Sequence, residues 1–373
     1  MISRVDSIKI TAIVGRRVTL TLPQPVELGS YVIRARSFCI ATVTLEDGTV
    51  GSAFALDRGA PVAEAINTLI AKPYQELFKG DPLATWDVLL RQASAALSSG
   101  AALRGFSLVD LATHDAIARR EKRTVAERFN RPMKKLAKWA VIGYPPSRGP
   151  EEIAWEVKAA VEAGAVGVKL PVGKSPELTR ERIIAALDTR LCPVATDLAW
   201  SCRTPSDAIK IVGGLDLAWV EDPFIPGSLR ELRNLRSLLN VPLASGDDEA
   251  HLYHPQVFIE TEAVDILRMD ATCQGGLSRM LQLDDYLVDS GLSLSWHVYD
   301  AWHSQIASIM QTPTFSIEYS APGASVDPLA ELIFSRKKDL EATDNHGWQF
   351  ILPELADVSM ALDGGTRWIP LPN

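Results

Sequence analysis

This 373-residue chain is short of several things, and each shortage removes a class of function. It has only four cysteines, Cys39, Cys192, Cys202 and Cys273, with no two at the close spacing of a thiolate metal site or a disulfide framework. Scattered thiols of this kind read as buried and free, which suits a reducing compartment, so the cytoplasm is the expected location. Positive charge is not in excess: 38 Lys and Arg stand against 46 Asp and Glu, for a net charge of −8. That balance argues against a nucleic-acid or anionic-membrane partner. No apolar stretch approaches the ~20 residues of a membrane span. The opening MISRVDSIKITA also lacks the apolar segment of a secretion signal. Repeats beyond a strand–helix period and low-complexity tracts are absent. Gly275-Gly276 resembles a phosphate loop only superficially, because no full Gly-rich fingerprint follows the first strand.

What is present is a 47% hydrophobic composition, enough to bury a large core, in a chain long enough for two domains. Residues 5–57 alternate apolar and polar as strands do, with turn chemistry at Gly15, at Gly29-Ser30 and at Asp47-Gly48. From Pro61 the apolar spacing becomes helical, and Asp81-Pro82 opens one helix. Strands followed by helices predict an α+β domain over residues 1–130, ending before the basic run Arg131–Lys135, read as a solvated linker. Over residues 131–327 short apolar runs alternate with amphipathic helices. The candidate strands are KWAVIGY, VGVKL, CPVATDL, LAWVED, PLASG, AVDILRM, LSLSWHV and TFSIEYS. Eight such units predict an α/β fold, a closed (β/α)8 barrel of the TIM type. The segment 328–373 is long enough to cross back to the first domain.

Lys169, Asp197, Glu221, Asp247, Asp270, His297 and Glu318 each follow one of these runs, at spacings of 21 to 28 residues. One polar residue at the end of each successive strand is where such a barrel carries its chemistry. Asp197, Glu221 and Asp247, from three consecutive strands, converge on one point and repel one another unless a cation neutralises them. All-oxygen ligation favours Mg²⁺, with Mn²⁺ meeting the same requirement, and Asp248 competes with Asp247 as third ligand. Asp270 beside His297 would fix the imidazole tautomer and raise its basicity. Glu318 could stay protonated and donate to developing negative charge. The remaining histidines, His114, His251, His254, His303 and His346, read as packing or loop residues.

The pieces VKLPVG, TDLAW, WVEDP, LASGDD, MDATCQGG, SWH and IEY, in this order, resemble the enolase superfamily and, within it, the mandelate racemase group. The resemblance covers nearly the whole chain and implies a modified barrel, an N-terminal capping domain and a C-terminal segment returning to it. It implies a Mg²⁺-dependent enzyme that removes the proton α to a carboxylate of a small molecule, in a homo-oligomer. Carried over, Asp197, Glu221 and Asp247 match the metal ligands, and His297 with Asp270 the general base. Glu318 matches the electrophilic acid and Lys169 the first Lys of a Lys-x-Lys motif.

Three departures narrow the reaction. Pro171 stands where the second Lys would arm the opposite face of the substrate. Ala199 replaces the Asn of Asp-x-Asn, and the third ligand is Asp where Glu is usual. Cys273 stands where related cycloisomerases keep a catalytic Lys. One base suffices for β-elimination, so the expected activity is dehydration of a sugar acid or related β-hydroxy acid, as in relatives acting on rhamnonate. The alternatives are a racemase or epimerase with an unrecognised second base, and a noncatalytic relative that binds metal and carboxylate. Lys174 reads as solvated rather than as a replacement base. Substrate identity is expected from the loops Leu22–Ser30 and Phe54–Gly59; Tyr31 and Arg58 are candidate polar contacts there, against the plainer readings of a strand tyrosine and a surface arginine.

Overall fold

Alternation along the first fifty residues produces three antiparallel strands, β1 (Ile10–Leu28), β2 (Tyr31–Leu45) and β3 (Val50–Leu56). The computed structural model describes residues 8–28, 31–320, 329, 346–350 and 368–369. Two expectations are corrected here. β1 runs straight through Gly15, because a Cβ there would lie 2.9 Å from both Ala63 O and Ile66 Cβ of the covering helix. Glycine therefore serves close packing, and its N–H donates to Asn67 Oδ1 at 2.8 Å. The stretch from Leu22 is likewise strand to Leu28 rather than loop, with a register shift between Thr21 and Val26. Gly29 and Ser30 lie outside the described residues.

The helical spacing from Pro61 yields helices that pack on this sheet. Asp81 caps the helix Pro82–Leu97, its Oδ1 accepting from Leu83 N at 2.9 Å and Ala84 N at 3.2 Å. The helix Gly100–Arg120 is buried along almost its whole length, because it lies between the sheet and the barrel.

The barrel strands are β4 (Lys138–Val141), β5 (Gly167–Pro171), β6 (Val194–Asp197), β7 (Val220–Glu221), β8 (Leu243–Ser245), β9 (Ile266–Met269), β10 (Ser293–Trp296) and β11 (Thr314–Ser320). Each pairs in parallel with the next, and β11 closes on β4. The floor is apolar: Trp139, Ala195, Trp219, Ala244 and Ile266 form one cluster, the two indoles 4.3 Å apart. Two residues further along several of these strands come Lys169, Asp197, Glu221 and Arg268. Period-two geometry sets them above that floor.

A last short strand, β12 (Trp368–Ile369), pairs antiparallel with β1. The Trp348 N–H donates to Asp115 Oδ1 of the helix Gly100–Arg120, and its indole N–H donates to Leu111 O. The same helix fastens the barrel. Asp110 accepts from Ser278 N at 2.9 Å and Ser278 Oγ at 2.5 Å, where the helix Gly276–Ser290 begins. Gly275-Gly276 is thus a seat for a carboxylate of the chain itself, and a Cβ on Gly276 would lie 2.4 Å from Asp110 Oδ2.

Candidate active site

All the strand-end residues predicted from spacing come to one end of the barrel. Lys169, Asp197, Asp247, His297 and Glu318 line a cleft, together with Pro171, Tyr144, Trp200, Asp222 and Asp248. From the first domain come Arg36, Leu56 and Arg58. The backbone around the cleft is strained. Ala199, Trp200, Asp222, Val298 and Tyr299 all have positive φ, a conformation that costs a non-glycine residue about 1 kcal/mol or more and clusters at functional sites.

The His297–Asp270 pair is set as a base with its orienter. His297 Nδ1 donates to Asp270 Oδ2 at 2.9 Å, which leaves Nε2 as the nitrogen available to a ligand. The other oxygen of Asp270 accepts from Thr272 N at 2.8 Å and Thr272 Oγ1 at 2.6 Å, so the carboxylate cannot rotate away. His303 does more than pack. Its Nε2 accepts from Ala271 N at 3.1 Å, its Nδ1 donates to Val298 O at 2.9 Å, and the ring lies 3.5 Å from Asp270. Burial works against ionisation of Asp270, but the His297 imidazole, bonded to it and charged beside it, holds it well below the usual carboxylate range. Burial likewise disfavours a charged His297, yet Asp247 and Asp270 outweigh it and push the imidazole up to about 9.

Lys169 is 3% exposed and ion-paired to Glu221 and to Glu318, the latter at 2.8 Å, with Asp197 at 4.0 Å. Burial disfavours its charge, but Glu221 and Glu318 hold the ammonium well above its ordinary pKa. Glu318 therefore corrects the expectation of a protonated acid. Although burial favours the neutral form, Arg268 and Lys169 lower its pKa and keep it a carboxylate.

Arg268 is the residue that strand-end spacing misses. It is fully buried, and its Nη2 donates to Asp247 Oδ2 and to Glu318 Oε2, both at 2.8 Å. Its Nε lies 3.2 Å from Glu221 Oε2, and its Nη1 donates to Ser295 Oγ at 2.5 Å. The signal was there: an arginine inside the apolar run ILRMD, two residues before Asp270 and so on the same strand face. Asp222 was missed as well. It sits in left-handed backbone, its Oδ1 accepts from Ser245 Oγ at 2.5 Å, and burial pushes its carboxyl well above the usual range.

The expected metal ligands are near one another but are not a bare trio. Glu221 lies beneath the cleft, held by Lys169, Arg268 and the Trp219 indole N–H at 2.9 Å, and burial pushes it up to about 8. Asp248 is drawn aside by Arg58 at 2.8 Å and Arg104 at 2.6 Å, so Asp247 is the acid that faces Arg268 and His297. Among the described residues no three His, Cys, Asp or Glu side chains form a ready ligating group, because Lys169 and Arg268 stand between the acids. By kind and charge the donors nevertheless fit a hard divalent cation. Asp197, Glu221, Asp222, Asp247 and Glu318 outnumber the two permanent cations, and burial with mutual repulsion pushes Asp197 up.

Pro171 and Tyr144 line the same cleft as His297. Leu22 and Val26 of β1 pack against Val141, Tyr144 and Val172, giving Tyr144 an apolar backing. Lys174 pairs with Glu27 at 2.7 Å and is half exposed, outside the cleft. The four cysteines are free, and Cys273 donates weakly to Asp247 O at 3.2 Å. No helix among the described residues is long and apolar enough to cross a membrane.

Comparison with known proteins agrees with this architecture. The family described as Enolase C-terminal domain-like matches residues 152–344, just over half of the chain. A candidate L-rhamnonate dehydratase of Caldivirga maquilingensis is 24% identical over 69% of this chain, the match spanning only 62% of that relative's length. The D-galactarolactone cycloisomerase of Agrobacterium fabrum is 23% identical over 93% of this chain and 91% of its own. Among solved structures, L-talarate/galactarate dehydratase from Salmonella typhimurium, liganded with Mg and L-lyxarohydroxamate, superposes with a TM-score of 0.76 at 20% identity. It covers 98% of this chain and 96% of that one. A barrel closed in chain order, an N-terminal antiparallel sheet and this family match place the chain in the enolase superfamily, beside mandelate racemase-like enzymes and acid-sugar dehydratases.

Proposed function

We propose that this protein is a lyase, a dehydratase that removes the proton α to the carboxylate of a sugar acid and expels the β-hydroxyl as water. The observation that carries the reading is an imidazole–carboxylate dyad at a cleft that Pro171, which has no titratable group, also lines. His297 Nε2 takes the α-proton, and Asp270 stabilises the imidazolium that forms. The same imidazolium then gives its proton to the departing β-hydroxyl, so one group serves both steps. The resulting enol tautomerises to a 2-keto acid. Lys169 and Arg268 hold positive charge at the end of the cleft where the substrate carboxylate gains negative charge as the α-proton leaves. Asp197, Glu221 and Asp247 would hold Mg²⁺, or Mn²⁺ with the same oxygen donors, by exchanging part of their ammonium and guanidinium contacts for the ion. When bound, that ion supplies Lewis-acid stabilisation of the enediolate.

Racemisation is the second reading, favoured by Tyr144 in the lining of the cleft. A phenol is in general a weaker base than an imidazole, which ranks racemisation below dehydration. Incubating the Mg²⁺-loaded protein with a panel of sugar acids in D₂O tests the choice. Keto-acid formation is the expected result. Deuteration at the α-carbon with epimerisation and no keto acid would replace the dehydratase by an epimerase, and neither product would leave a binding protein.

A further inference from the structure

The catalytic cleft continues, past Leu56, Trp200 and Asp248, into a second chamber under the first domain, lined also by Ile33, Gly59 and Arg104. Arg36 and Arg58 line both spaces, so they stand where the two meet. Arg58 reaches Asp248 through Nε at 2.8 Å, and Arg104 reaches the other oxygen through Nη2 at 2.6 Å. Two guanidiniums thus share one carboxylate. Arg104 spends the same nitrogen again on Asp248 O at 2.9 Å. Asp248 fixes both side chains without cancelling their combined charge. Arg58 is held further by its backbone, which has a left-handed φ of 55° directly after β3.

A ligand whose carboxylate lies at Lys169 and whose α-carbon lies beneath His297 sends its far end toward this arginine group. We infer that the substrate is a diacid, a sugar acid carrying a second, terminal carboxylate that Arg58 binds, with Arg104 and Asp248 as positioning residues. This rests on the sugar-acid reading of the site above. A guanidinium fork matches a carboxylate through parallel N–H bonds and meets a terminal hydroxyl or methyl poorly. A monoacid would leave desolvated positive charge facing a neutral group, and the site would reject it as sites built around a charged partner do.

The test uses the full chain carrying His297→Asn, which removes the base and so permits binding to be measured without turnover. Hexaric acids, galactarate and glucarate among them, are titrated calorimetrically in Mg²⁺ beside the hexonic acids of matching configuration. The expected result is at least one hexaric acid bound about 100-fold tighter than its hexonic partner, a difference that a charge-assisted bidentate pair supplies. Adding Arg58→Met lowers diacid affinity roughly 30-fold, Arg58→Lys restores part of it, and hexonic acids change by less than about threefold. Equal affinity for the two classes, or an equal loss of both in Arg58→Met, overturns the inference. So does keto-acid production by the wild-type protein from hexonic acids alone, which leaves the dehydratase reading intact. Tight diacid binding with no keto acid from wild type has the opposite meaning: the second anion site stands and the dehydration reading falls.

Discussion

His297 is the residue on which the chemistry turns, and its surroundings dictate a pH response. Asp247 and Asp270 together raise it to about 9, so at neutral pH most of the imidazole carries a proton and cannot accept another. The rate of α-proton abstraction should therefore climb with pH and then level off, the bend falling below 9 once Mg²⁺ on Asp247 offsets that carboxylate's charge. Asp270→Asn removes one of the groups that raise the pKa, so the climb should move to lower pH while the plateau falls roughly 100-fold or more. A pH–rate profile of both proteins checks the sign. The same shift bears on folding: the dyad's contribution is complete below about 6.5 and fades as pH rises through 9. Arg268 makes the second residue-scale prediction. Arg268→Met leaves Asp247, Glu221 and Glu318 buried without their guanidinium, which should cost about 3–5 kcal/mol in chemical denaturation. Mg²⁺ should then stabilise the variant more than the parent, because the ion offsets charge that Arg268 no longer does.

At the scale of elements, strand ends were the most legible part of the chain. The spacing of Lys169, Asp197, Asp247, Asp270, His297 and Glu318 could be read because a barrel repeats its geometry, and a local period is written in local sequence. What escaped was decided by contacts between distant elements. Gly15 looked like a turn because glycine breaks strands, yet a helix fifty residues later presses on it. Gly275-Gly276 looked like a weak phosphate loop, and its occupant is Asp110 of another domain. Glu318 looked like a free acid because the cations beside it, Lys169 and Arg268, come from other strands. The Gly276 contact is testable. Gly276→Ala meets both a left-handed φ of 73° and the Asp110 carboxylate, and should destabilise the protein by about 2 kcal/mol or more, measured by urea denaturation. Asp110→Ala in the same background should relieve part of that loss.

The whole molecule works as a barrel that supplies chemistry and a sheet domain that closes it. Of the Phe54–Gly59 stretch expected to set substrate choice, residues 54–56 belong to β3 and only 57–59 turn; it is tied to the barrel by Leu56 N donating to Tyr299 Oη at 3.0 Å. Tyr299 stands two residues beyond His297, in strained backbone. Tyr299→Phe removes the acceptor that holds this turn over the cleft. KM should rise about fivefold, with kcat changing less, as the loss of one hydrogen bond of about 1 kcal/mol implies. The central claim is that only one face of the substrate's α-carbon meets a base. The direct measurement is proton exchange in D₂O, followed by NMR, on each α-epimer of a substrate analogue lacking the β-hydroxyl. Deuterium should enter one epimer only, with configuration retained, and His297→Asn should abolish it. Exchange into both epimers, or their interconversion, would show a second base across from His297 and contradict the account.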